Sequence, residues 1–67
     1  MAHYVYFVDR PCVRAKLEVL DGEYSEWTVE YRSDWNTDDW QMYSGIHMSM
    51  KDIEDRVYNG FFEKEVR

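Results

Sequence analysis

Residues 13–33 read VRAKLEVLDGEYSEWTVEYRS, and this stretch decides the fold. Val13, Ala15, Leu17 and Val19 alternate with Arg14, Lys16 and Glu18. Beyond Asp21-Gly22, Trp27, Val29 and Tyr31 alternate with Glu26, Thr28, Glu30 and Arg32. Successive side chains of a strand point to opposite faces, so each run predicts a half-buried strand, and the Asp-Gly between them predicts a hairpin. A two-residue loop over Asp21-Gly22 would set Lys16 against Trp27 and mix the two faces. A one-residue slip flips every side chain, so the alternation rejects that register. A three-residue loop, Leu20-Asp21-Gly22 with Gly22 in the left-handed position of a G1 bulge, predicts Ala15 opposite Trp27, Val13 opposite Val29 and Lys16 opposite Glu26.

Upstream, His3 to Val8 is β-branched and aromatic without a charge, which predicts a strand apolar on both faces, central or covered on both sides. Asp9-Arg10-Pro11 should end it, because proline brings no amide to a ladder. Downstream, Trp40, Met42, Ser44, Ile46 and Met48 alternate with Gln41, Tyr43, Gly45 and His47. This predicts a fourth strand bent at Ser44-Gly45 that turns Trp40 and the residues alternating with it toward the core and Tyr43 away from it, with a short helix capped by Asn36 or Thr37 as the competing reading.

Ser49-Met50-Lys51-Asp52 resembles a capping box with aspartate in the usual glutamate position, and Ile53, Val57 and Phe61 follow at helical spacing, with Met50 a turn earlier. Asn59-Gly60 can close that helix in a left-handed cap. The sum is one α+β domain over residues 1–67: a small antiparallel β-meander of three to four strands with one C-terminal α-helix packed on one face.

The net charge of −6 is placed unevenly. Residues 18–39 hold eight acids against the single base Arg32, whereas the first 17 residues carry Arg10, Arg14 and Lys16 against Asp9. An acidic chain is repelled by phosphate backbones and anionic membranes, so a basic protein surface is the expected partner, with no direct nucleic acid and no membrane. Twelve aromatic residues exceed what a core of 67 residues hides, so some should serve at a surface. A single cysteine, Cys12, excludes an intrachain disulfide and fits a reducing cytoplasm. The start, Met-Ala-His-Tyr, has neither the basic nor the apolar region of a signal peptide.

The chemistry-bearing residues are sparse. Cys12, His3 and His47 form no local nucleophile–base arrangement, and an active thiolate needs an electropositive site that only Arg10 and Arg14 could offer. Asp34, Asn36 and Asp38 match the opening of a calcium loop, but Asp39 stands where the turn glycine belongs and Gly45 where the closing carboxylate belongs. No cofactor, metal or catalytic residue is expected. The reading is a small acidic non-enzymatic interaction module, one form of which is an inhibitor that docks on a basic, nucleic-acid-handling protein surface through an acidic and aromatic hairpin loop. Its expected contact residues are Glu23, Tyr24, Glu26, Glu30, Asp34, Trp35, Asp38, Asp39, Tyr43 and Phe62. Phe62 is included because two adjacent phenylalanines cannot both face one small core from a helix. Lys16 and Arg14 should offset Glu26 and Glu30, leaving the Asp34 to Asp39 loop around Trp35 as the uncompensated charge. The alternatives are a homo-oligomeric subunit, a homodimer for instance, that buries surplus aromatics against copies of itself, and, more distantly, a small metal-binding or enzymatic protein.

Overall fold

The computed structural model describes residues 2–60. Strands β1 (Tyr4–Phe7), β2 (Arg10–Asp21), β3 (Tyr24–Tyr31) and β4 (Gln41–Met42) form an antiparallel sheet in the order β1-β2-β3-β4, followed by helix α1 (Met50–Tyr58). Each strand pairs with its chain neighbour, so the expected meander is present, and α1 packs across β2 and β3.

The central hairpin keeps the expected alternation but slides. Asp21 pairs with Tyr24 across a two-residue Gly22-Glu23 loop, with Gly22 in the left-handed region at φ 63°. That loop alone would mix the faces, as Val19 opposite Glu26 shows. A bulge between Leu17 and Val19 adds Glu18 to β2 and restores them, so Leu17 pairs with Trp27, Ala15 with Val29 and Val13 with Tyr31. The expected pairs Ala15–Trp27, Val13–Val29 and Lys16–Glu26 are therefore corrected by two residues, and Lys16 faces Thr28. The extra residue lies within the strand rather than in the turn. Glu18 also gains a partner there, since its Oε2 accepts from the buried Thr28 hydroxyl at 2.7 Å. An unpartnered hydroxyl at that depth would be costly.

β1 is an edge strand, not a central one. Its turn falls at Val8-Asp9, with Asp9 at φ 61°, a conformation aspartate tolerates better than most residues. Pro11 lies inside β2, where the register jumps between Tyr6–Arg14 and Phe7–Arg10 and no ladder bond is asked of its nitrogen.

The core consists of Phe7, Val13, Ala15, Trp27, Val29, Ile53 and Val57. Ser49 caps α1 by accepting from the Asp52 amide at 3.2 Å, and Asp52 in the first turn with Arg56 in the last complements the helix dipole. The helix stops at Asn59, with Gly60 left-handed at φ 77°. The stripe residues Ile53 and Val57 are buried as expected, and Phe61 lies outside the described residues.

The fourth strand is shorter than its alternation implied, and its faces are exchanged. Only Gln41 and Met42 are strand; the chain leaves β3 after Tyr43, whose amide donates to the Val29 carbonyl at 2.8 Å, and returns where Met48 exchanges backbone bonds with Trp27. Met42 and Ile46, expected inside, are exposed, while Tyr43 packs on the core with its ring edge-on to Tyr31. A β4 residue shares a face with its cross-strand partner, and Met42 is opposite outward-facing Glu30. Trp40, also expected in the core, lies on the open face of the sheet, opposite α1.

Candidate functional site

The 34–39 loop emerges from the end of β3 and is held at its base by Arg32. The Arg32 Nε donates to the Pro11 carbonyl at 2.9 Å, Nη1 donates to the Thr37 carbonyl at 2.8 Å, and the backbone amide donates to the Cys12 carbonyl at 3.0 Å. The loop has its own turns as well. Asp34 Oδ1 accepts from the Asn36 amide at 3.1 Å, and Thr37 Oγ1 accepts from the Asp39 amide at 3.1 Å. Asp and Thr hydroxyl or carboxylate oxygens commonly fold short loops this way. The result is an ordered loop that presents Trp35, 65% exposed, between Asp34, Asp38 and Asp39. Asp38 is fully solvent-facing, with Arg32 Nη1 no nearer than 3.9 Å.

A second acidic group lies at the hairpin tip. Glu23 is in the turn, and Tyr24, 58% exposed, donates its hydroxyl to Glu26 Oε2. Glu26 Oε1 also meets His47 Nδ1 at 2.6 Å. These bonds, the Tyr24 hydroxyl first and His47 second, hold the Glu26 carboxyl below the usual glutamate range, and the same bond pushes the Tyr24 phenol above the usual tyrosine range.

Between the two groups the sequence expectation is revised. Glu30 is removed from the contact surface: its side chain is 13% exposed and its Oε1 accepts from Arg14 Nε at 2.8 Å. Tyr43 is removed by its packing on the core. Phe62 lies outside the described residues. The remaining residues do not form one acidic surface. Tyr24 opens β3 and Asp34 follows its end, so at roughly 3.3 Å per residue the strand separates the hairpin tip from the loop by more than about 20 Å.

Sequence reasoning missed the cluster that covers the open face. The Arg14 guanidinium lies 3.7 Å from the Tyr4 ring centre, 4.2 Å from Trp40 and 6.0 Å from Tyr6, while Arg32 lies 4.4 Å from Trp40. Arg14 Nη1 donates to the Tyr6 hydroxyl at 3.1 Å. Burial lowers the Arg14 pKa, but the hydrogen bonds to Glu30 and Tyr6 outweigh it and hold the value above the ordinary arginine one. The correct register would have revealed part of this cluster, because Tyr6, Arg14 and Glu30 form one cross-strand row.

Cys12 is a free, half-buried thiol. Among the described residues no group of three or more His, Cys, Asp or Glu is placed to hold a metal ion, and no helix is long and apolar enough to cross a membrane. No protein-family model, curated protein or solved structure matches this chain.

Proposed function

We propose that the chain is a small non-enzymatic protein-interaction module that docks its Trp35 loop on a basic surface of another protein. A surface that otherwise receives nucleic acid has the required charge, and occupying it would make the module an inhibitor. The observation that carries this reading is Trp35: a large apolar side chain left 65% exposed on a loop whose backbone is tied down by Arg32 and by its own turns. Tryptophan is among the residues that most often anchor interfaces, and a pre-ordered loop loses little entropy on binding. Asp34, Asp38 and Asp39 would steer the encounter and reject acidic competitors. The lone thiol, Cys12, suits a reducing cytoplasm.

A photo-crosslinking residue placed at position 39 tests the reading in lysate. We expect capture of a basic protein that weakens with added salt. Trp35→Ala and the pair Asp38→Lys with Asp39→Lys should each reduce capture at least about tenfold, because hot-spot truncation commonly costs about 2 kcal/mol or more. Trp35→Ala should leave folding stability within about 0.5 kcal/mol, as substitution of an exposed side chain usually does. Capture that is indifferent to both substitutions removes the proposal.

A further inference from the structure

The outer edge of β1 offers a short ladder with no partner among the described residues. The Leu17 amide donates to the His3 carbonyl at 2.9 Å, so the odd-numbered residues of this strand bond to β2. In an antiparallel pair the bonding direction alternates, which turns the N–H and C=O groups of Tyr4 and Tyr6 away from the sheet. The edge closes at Val8, whose amide donates to the Tyr58 hydroxyl at 3.0 Å. Proteins usually guard an exposed edge with charge, proline or a bulge in the edge strand itself. Here His3 to Val8 contains no charged residue and no proline, and the irregularity beside it places the extra residues on β2.

We propose that this edge is a homodimer interface in which two copies of β1 pair antiparallel about a two-fold axis through Val5. Tyr4 would bond to the partner's Tyr6, and Tyr6 to the partner's Tyr4. This register uses every open backbone donor and acceptor of Tyr4 and Tyr6, and Val5 falls at the narrow, non-bonded position facing its own copy. A two-fold axis perpendicular to the sheet leaves both helices on one side and joins the two open faces, each carrying Tyr4, Tyr6 and Arg14. The tyrosines then become cross-strand neighbours, a favourable aromatic pairing. Tyr6, 61% exposed in one copy, is covered in two.

Charge favours a second copy at this edge over others. The whole chain is at −6, so copies repel at most orientations, but residues 2–17 carry Arg10, Arg14 and Lys16 against Asp9 alone. The acid-rich stretch lies on the distal part of β2, on β3 and beyond it, strands away from the axis. β1 is where two copies meet with least repulsion.

Sedimentation equilibrium of the full chain between about 1 µM and 1 mM, the range of weak to moderate association, tests this together with amide hydrogen exchange. We expect a dimer, with the Tyr4 and Tyr6 amides gaining protection as concentration rises and the Val5 amide protected throughout. Tyr6→Lys and Tyr6→Glu should each raise the dissociation constant at least about tenfold, since like charges on neighbouring strands disfavour pairing, and an equimolar mixture of the two should restore association. Retained chemical-shift dispersion shows that each variant is folded. A monomer over the whole range overturns the proposal, as does a dimer whose Tyr4 and Tyr6 amides exchange as fast as in the monomer. A mixture that associates no better than either variant alone overturns it as well.

Discussion

The two faces of the sheet are held by different forces. Under α1, Ala15, Val29, Ile53 and Val57 are almost wholly removed from water, and apolar burial does the holding. On the open face a cation occupies the centre: Arg14 lies among Tyr4, Tyr6 and Trp40, paired with Glu30. The first face tolerates any close-fitting apolar set, whereas the second works only while each polar group keeps its partner. A small chain with too few aliphatic residues for two cores has closed its second face with aromatic rings and two arginines, Arg14 and Arg32.

The largest expected effect breaks the helix-covered face. Ile53→Ala should cost about 2–5 kcal/mol, a large part of what a domain of this size has, and thermal unfolding followed by circular dichroism would show a domain melted or nearly so. A cost below about 1 kcal/mol would mean that the helix is not part of the core.

Next comes the open face. Arg14→Met leaves the Glu30 carboxylate 13% exposed and without its ion pair, at a cost of about 1–3 kcal/mol. Adding Glu30→Gln should recover most of that, because the pair removed together leaves far less charge to solvate. Urea titration of the four members of this cycle measures the coupling, and additive losses would mean that the face is held by packing alone. Trp40→Leu should cost less, about 0.5–1 kcal/mol for each weakened contact with Arg14 and Arg32.

The smallest effect distinguishes the faces by pH. The Glu26 carboxyl has a lowered folded pKa and the Tyr24 phenol a raised one. Their bond therefore stabilises the fold between those limits. The glutamate part is fully present above the ordinary glutamate pKa and is lost as pH falls through the lowered one. The tyrosine part is present below the ordinary tyrosine pKa and is lost as pH rises through the raised one. Tyr24→Phe should move the Glu26 carboxyl titration, followed by carbon-detected NMR, to higher pH and leave the buried helix-covered face unaltered. No movement would show that His47 alone sets it.

The meander, a hairpin joining β2 to β3 and the Ser49-capped helix were legible in the sequence because alternation, turn chemistry and capping are local signals, although the turn itself falls one residue later, at Gly22-Glu23. The register was not legible. Alternation specifies only parity, so a bulge at Glu18 and a longer turn satisfy it equally well, and Thr28 bonding to Glu18 is a tertiary reason no single strand displays. Alternation and core packing put Trp40 among the inward residues, yet two arginines offer its ring another solution on the open face. Of the residues expected to make contact, Asp34, Trp35, Asp38 and Asp39 lie together because they belong to one short loop. Glu30 and Tyr43 were lost because their fates depend on which strand lies opposite.

The bulge at Glu18 also makes the hairpin tip a place to graft. From Val19 to Glu26 the arm has its own pairing, and the phase of Leu17, Trp27 and Val29 is set below it. A foreign epitope of about ten residues inserted between Gly22 and Glu23 would then cost mainly loop-closure entropy, which grows slowly with length. The sheet beneath would keep its phase, and the Trp35 loop at the far end of β3 would stay uncovered, giving an arm that can be altered without touching the surface we propose for docking.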